Sequence, residues 1–269
     1  MSSQFTIAAV QMISGPDVTA NLAEAERWIG EAASKGAQCV VLPEYFCAMS
    51  ADETAKLRIS EPDGDGPLQR FLSDAARRHK VWLVGGTIPL KGDDAAHVRN
   101  ATIVYDDQGH RVARYDKLHL FGYCGKGEQY DESRTIEAGH EVVSFEAPWG
   151  NTGMAICYDL RFPELFRHLG DVSLIVLPAA FTETTGRAHW EVLLRARAIE
   201  NQCYVLASAQ GGEHPHGRRT WGHSMLIDPW GEIVACHANG PGVAIGVMDL
   251  ERLAAIRESL PALQHRHLR

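Results

Sequence analysis

Three residues of this chain have side chains that together could run acyl transfer, and each closes an ordered run. Cys157 ends "GMAIC" and is followed at once by the charged cluster "YDLRFPE". Glu44 ends "CVVLPE", and Lys117 ends "VARYDK". A thiol becomes a strong nucleophile on losing its proton, and a free cysteine has a pKa of ~8.5. A glutamate can take that proton as general base and later activate water. A lysine can steady the thiolate and donate to the oxyanion formed when sulfur attacks a carbonyl. Such a set needs no metal and no organic cofactor. Singly, each residue has a plainer role: a small buried side chain for Cys157, a loop carboxylate for Glu44, a solvated cation for Lys117. Joint placement at strand ends favours chemistry, because ligands of open α/β sheets bind beyond the carboxyl ends of strands.

The elements that must position these residues occur twice. "FTIAAVQM", "CVVLPEYF" and "VWLVGGTI" read as strands. Between them, "NLAEAERWIGEAASKG" places Leu22, Ala25, Trp28, Ile29, Ala32 and Ala33 on one helical face, with Gly36 as C-cap. "PLQRFLSDAARRHK" is a second helix, and "ATIVYDDQGHRVARYDK" a hairpin around "DDQG". The second half repeats the order. "TGMAICYD", "VSLIVLPAAF" and "CYVLASAQ" are strands, separated by the helices "PELFRHLG" and "RAHWEVLLRARAIENQ". A hairpin around "DPWG", a strand "GVAIGVMD" and a helix "LERLAAIRESLP" follow.

Each half thus yields an apolar sheet with helices on one face, whose other face must also be buried. Packing the two sheets face to face solves both demands. The expectation is one domain over residues 1–269, a four-layer α-β-β-α sandwich with an internal pseudo-two-fold duplication. The alternative is a single doubly wound sheet, which the hairpins argue against. In the sandwich, the Glu44 and Cys157 strands lie in different sheets and can face one cleft.

Composition narrows the function classes. The chain has 269 residues and a formal net charge of −8, with no basic stripe, which speaks against a nucleic-acid partner. No apolar run is long enough for a membrane span, and the N-terminus lacks the pattern of a signal peptide, so a cytoplasmic address is expected. The six cysteines form no C-x-x-C pair and are read as free thiols. The histidines show no zinc-ligand spacing, so no metal is expected.

"VVLPEYF", "RYDKLHLF" and "GMAICYDLRFPEL" resemble, in order, the three signature segments of the nitrilase, or carbon–nitrogen hydrolase, superfamily. The resemblance covers essentially the whole chain. It implies the sandwich fold, a homodimer or larger homo-oligomer, and catalytic roles for Glu44, Lys117 and Cys157. A second glutamate of the family site matches Glu132, which the residues alone leave as a loop carboxylate. The Tyr158 backbone N–H would join Lys117 as the oxyanion hole. Arg161 is set for a substrate carboxylate, or else for an ion pair with Asp159 or Glu164. Phe181 and Thr182 are candidate pocket walls, and Trp190 a core residue. The Gly-rich segment "LFGYCGKGEQYDES" is a lid or a connector. "TGRAHWEVLLRARAIENQCYVLASAQ" and "GHSMLIDPWGEIVA" resemble the branch holding the omega-amidases and deaminated-glutathione amidases, which implies a small carboxylated amide as substrate. Two rivals stand beside this reading. One is a Cys157–His119 thiol hydrolase, and the other is a binding scaffold without chemistry.

Overall fold

A computed structural model describes residues 3–125 and 128–267. The first half runs β1 (Gln4–Gln11), α1 (Val18–Ser34), β2 (Cys39–Val41), α2 (Ala55–Arg58), α3 (Pro67–His79), β3 (Trp82–Val84), β4 (Ile88–Lys91), β5 (Val98–Tyr105) and β6 (Arg111–Asp116). A small hairpin, β7 (Gly122–Gly125) and β8 (Glu128–Asp131), leads into the second half. There follow β9 (Ser144–Ala147), β10 (Gly150–Met154), α4 (Pro163–His168), β11 (Leu174–Ala179), α5 (Glu183–Asn201) and β12 (Tyr204–Ala209). Last come β13 (Gly211–Glu213), β14 (Arg219–Trp221), β15 (Ser224–Ile227), β16 (Ile233–His237), β17 (Gly242–Asp249) and α6 (Leu250–Ser259).

The two main sheets have matching plans. In the first, β1, β2 and β3 are parallel neighbours, β5 joins β3 antiparallel, and β6 joins β5. In the second, β10, β11 and β12 are parallel, β15 joins β12 antiparallel, and β16 joins β15. Each sheet has an antiparallel strand on its far edge, β17 against β1 and β9 against β10. β17 comes from the chain's end, so the C-terminal strand completes the first sheet. The duplication seen in the sequence is therefore real in the pairing, and a single doubly wound sheet does not form.

Alternation within the strands explains the layers. Ile7, Ala9 and Val41 of the first sheet share one buried cluster with Val176, Leu206 and Leu226 of the second. Ala8, Val10, Val40 and Leu83, one residue out of phase, pack instead on Ala25 and Ile29 of α1 and Leu72 and Ala75 of α3. Both faces of the strands are thus dry, as their unbroken apolar runs require. α1 starts where the Asp17 side chain accepts from Ala20 N–H, and it stops just before Gly36 at φ +87°. On the other side, α5 buries Trp190, Leu194 and Ala198 against the second sheet. Trp190 is fully buried and donates its indole N–H to the His223 carbonyl at 2.9 Å, so the core reading is right.

Two expected strands are shorter than their apolar runs. "VWLVGGTI" breaks at Gly85–Gly86 into β3 and β4. Gly86 has φ +54°, and a side chain there would meet the Pro43 carbonyl at 2.3 Å. That close approach seats the turn carrying Glu44. The run "GMAIC" likewise leaves the sheet at Met154, and Cys157 opens a 3₁₀ turn, Cys157–Arg161. The Gly-rich segment read as a lid or connector forms the β7–β8 hairpin, apart from residues 126 and 127, which lie outside the described residues.

Candidate active site

Glu44, Lys117 and Cys157 converge between the carboxyl ends of the two sheets, all buried. Lys117 is the hub. Its Nζ donates to Glu44 Oε1 at 2.9 Å and to both oxygens of Glu132, at 3.0 and 2.8 Å. Burial alone would lower the lysine pKa, but the Glu132 and Glu44 carboxylates outweigh it and hold the ammonium well above its ordinary value. Burial likewise works against the Glu132 carboxylate. The Lys117 charge, the Phe121 N–H at 2.8 Å and the Tyr45 hydroxyl at 2.7 Å hold its pKa below the ordinary value. Glu132, placed by resemblance alone in the sequence, thus sits on the same ammonium as Glu44.

Glu44 is fixed from several sides. Asn100, a polar break in the apolar strand β5, donates Nδ2–H to Glu44 Oε1 at 2.9 Å. Gln210 donates to the Glu44 carbonyl at 3.1 Å. The next residue, Tyr45, has φ +56°, and its N–H is taken by Thr87 Oγ1 at 2.9 Å. Asn100 and Tyr45 were not singled out from the sequence. Asn100 had a signal, being an amide inside "VRNATIVY", but nothing local tells a buried amide's partner.

Cys157 stands on a sharp backbone corner with φ +49°, a left-handed conformation costly for a residue with a side chain. Asp159 holds the corner. Its fully buried carboxylate accepts Ile156 N–H at 2.8 Å, Tyr115 O–H at 2.7 Å and His119 N–H at 3.0 Å. The His119 ring sits against the same carboxylate at 2.7 Å and stacks on Phe162 with centroids 3.7 Å apart. That places His119 in support of the corner, as a Cys–His pairing would not.

The charge balance at the sulfur differs from the expectation of a lysine-stabilised thiolate. Burial, then the Glu44 charge, push the Cys157 thiol well above its ordinary pKa. Lys117 and a backbone hydrogen bond from Ala180 pull only part of the way back. Burial and the Glu44 carboxylate thus outweigh Lys117 at the sulfur, which favours the neutral thiol as the resting group.

Cys157, Glu44 and Glu132 line a small pocket together with Tyr158, Phe181 and Thr182. Thr182 also caps α5 by accepting from Thr185 N–H. Arg161 lines the same pocket. Its guanidinium lies 5.7 Å from the Tyr158 ring and 5.5 Å from the Phe181 ring, and its Nη1 is 3.3 Å from His189 Nδ1. It pairs with neither Asp159 nor Glu164: Asp159 is spent on the corner, so the guanidinium is left to the pocket. Arg218, in the turn between β13 and β14, lines this pocket too.

A buried thiol, a glutamate and a lysine meet at the ends of two packed sheets, a set of groups able to carry out acyl transfer. Residues 6–258 match the carbon–nitrogen hydrolase family. A protein of Synechocystis sp. named deaminated glutathione amidase is 43% identical over 268 residues, 97% of this chain and 98% of its own. The human protein of that name is 39% identical over 97% of this chain and 81% of its own. Among solved structures, Saccharomyces cerevisiae Nit3, a member of branch 10 of the nitrilase superfamily, superposes with a TM-score of 0.88 at 30% identity, over 100% of this chain and 98% of that one. The Caenorhabditis elegans NitFhit protein gives a TM-score of 0.90 at 38% identity, with 98% of this chain covering 65% of that longer one. The chain belongs to the carbon–nitrogen hydrolase family, whose α-β-β-α sandwich it adopts, and is an amidase.

Proposed function

We propose that this amidase hydrolyses deaminated glutathione, the 2-oxo analogue of glutathione, to 2-oxoglutarate and cysteinylglycine, with Cys157 as nucleophile, Glu44 as general base and Lys117 as oxyanion donor. The observation that carries the mechanism is the Lys117 Nζ held by both Glu44 and Glu132 beneath the pocket that Cys157 lines. The substrate reading rests on relatives of that name at about two-fifths identity over nearly the whole chain and on the guanidinium of Arg161, whose fork suits a carboxylate.

The neutral thiol sets the order of events. Glu44 takes the Sγ proton as sulfur bonds to the amide carbon, and the oxygen becomes an oxyanion facing Lys117 Nζ and the Tyr158 N–H. The C–N bond then breaks. The proton on Glu44 passes to the nitrogen, and cysteinylglycine leaves behind a 2-oxoglutaryl thioester. Water enters, gives one proton to Glu44 and bonds to the carbonyl carbon. The C–S bond breaks, and Glu44 returns the proton to sulfur. Glu132 pins the ammonium so that it meets the developing charge without moving.

The test is 2-oxoglutarate release from deaminated glutathione and from the small amide 2-oxoglutaramate, side by side, with Cys157→Ala as blank. Preference for the first supports the proposal, preference for the second moves the protein to omega-amidase chemistry, and silence on both overturns the substrate. The same reading includes a homodimer. It is supported by large apolar side chains left exposed on α5 and β16, namely Val192, Ile199, Ile233 and Val234. Light scattering on the purified protein tests it. A cytoplasmic setting fits six cysteines that are all free thiols.

A further inference from the structure

The structure assigns a second carboxylate-binding subsite to Lys56 and Arg218, which receives the far end of the leaving group. This rests on the function proposed above and deepens it. The acyl pocket at Cys157 shares Phe121, Glu132 and Arg218 with a larger neighbouring pocket. That space lies between the segment from Tyr45 to Lys56 and the β7–β8 hairpin. An amide whose leaving group is ammonia has no use for it.

Its cations are not held in ion pairs. Among the described residues, neither Lys56 nor Arg218 forms an ion pair. Lys56 Nζ donates to Thr135 Oγ1 at 3.1 Å and lies 6.0 Å from the Tyr45 ring. Most of its surroundings are protein, and that burial pulls its pKa below the ordinary value. Arg218 lies with its guanidinium 4.9 Å over the Tyr130 ring and its Nη2 3.5 Å from the Ala180 carbonyl, while its buried Nε makes no hydrogen bond. Ala180 is also the residue whose backbone bonds to the Cys157 sulfur, which puts Arg218 at the junction of the two pockets.

The acids nearby are already engaged. Asp52 pairs with Arg58 at 2.8 Å, Asp131 accepts from Ser133 N–H and O–H, and Glu132 holds Lys117. Glu53, exposed at the rim, and Glu132 attract Lys56 without pairing with it, and burial outweighs them. Two half-buried, unpaired cations lining one pocket suit an anion, and a dipeptide leaving group ends in one. Arg161 would then hold the carboxylate of the acyl half, and Lys56 with Arg218 the carboxylate of the departing half. The substrate class is a 2-oxo dicarboxylic acid amide whose amine partner carries its own carboxylate some atoms beyond the nitrogen.

The experiment compares two 2-oxoglutaryl amides that differ at one point: alanylglycine as leaving group, with a free carboxylate, and alanylglycinamide, with a neutral end. 2-Oxoglutaramate is run beside them. For the wild type, kcat/KM should favour the carboxylate by about tenfold or more, the scale of a charge-assisted contact. Lys56→Met and Arg218→Gln should each bring that ratio towards one, and Lys56→Arg should keep it. A general loss of packing would slow both amides alike and leave the ratio standing. A wild-type ratio near one, or a ratio untouched in both variants, overturns the subsite while leaving the proposed amidase intact. If none of the three amides is hydrolysed, the proposed function itself fails and the subsite falls with it.

Discussion

Cys157, the proposed nucleophile, is buried beside a carboxylate that opposes a thiolate, so Glu44 has two opposite effects on it. Its charge raises the Cys157 pKa, yet it is the only carboxylate among those on Lys117 that also lines the sulfur's pocket beside an incoming amide without being capped by Tyr45. Glu44→Gln should therefore cut amide turnover by several orders of magnitude while making Cys157 alkylate faster with iodoacetamide at neutral pH, because removing the charge lowers the thiol pKa. Slower alkylation in that variant would contradict the charge balance. Cys157→Ala should abolish turnover and still melt cooperatively. The double variant should be no worse than Cys157→Ala, since members of one catalytic unit are not additive. His119→Ala should keep activity within about tenfold of the wild type. A loss of several orders with the fold intact would restore the Cys–His rival.

At the scale of elements, the corner at residues 154–161 is the critical piece. If φ +49° at Cys157 is imposed by the fold, glycine should be tolerated there better than alanine, although glycine normally costs ~0.5–1 kcal/mol more than alanine through the unfolded chain. Urea unfolding should find Cys157→Gly at least as stable as Cys157→Ala; a deficit of about 1 kcal/mol would mean the corner is not strained. Asp159→Ala should cost about 3 kcal/mol or more, because it strands the buried Ile156 N–H and Tyr115 O–H. Much of this level was legible in advance. Helix α1, its buried stripe and its Gly36 stop follow from apolar spacing, as does the pairing of each hairpin with its half. What was not legible were the places where a run of apolar residues leaves the sheet early. "VWLVGGTI" and "GMAIC" read as unbroken strands, because hydrophobicity reports burial and not hydrogen bonding. The break at Gly86 comes from the approach of Pro43, 43 residues away in sequence. The candidate catalytic residues were found because strand ends mark ligand sites. Asn100, Tyr45 and Asp159 were missed because their roles lie in partners distant in sequence, and the role of Glu132 was reached only through family resemblance.

Across the whole molecule, the two halves are joined near the site by buried polar contacts as well as by the shared core. His214, 1% exposed, places Nδ1 2.8 Å from the Ser14 carbonyl and Nε2 2.8 Å from Thr220 Oγ1, linking the first half to the β13–β14 hairpin. Nδ1–H donates to the carbonyl, and a neutral ring lets Nε2 accept from the threonine hydroxyl. Burial lowers its pKa from 6.5 to about 4. The unfolded chain binds this proton near pH 6.5 and the folded one only near 4, so stability falls as pH drops through that window. The effect is on the order of 3 kcal/mol. His214→Asn should flatten the pH dependence of urea midpoints between those values, and an unchanged slope would contradict the assignment. Below that window, Glu132, whose folded pKa is depressed, adds a further loss as its carboxylate is protonated and its bonds to Lys117 weaken.

The central claim is that the amide is broken through a thioester on Cys157. It is tested most directly by quenching the enzyme in acid during turnover of deaminated glutathione and mapping the adduct by peptide mass spectrometry. The account predicts a 2-oxoglutaryl group on the peptide bearing Cys157 and on no other cysteine peptide, present during turnover and gone once substrate is spent. Turnover with the Cys157 peptide unmodified at every quench time, or with the acyl group on a different thiol, would contradict it.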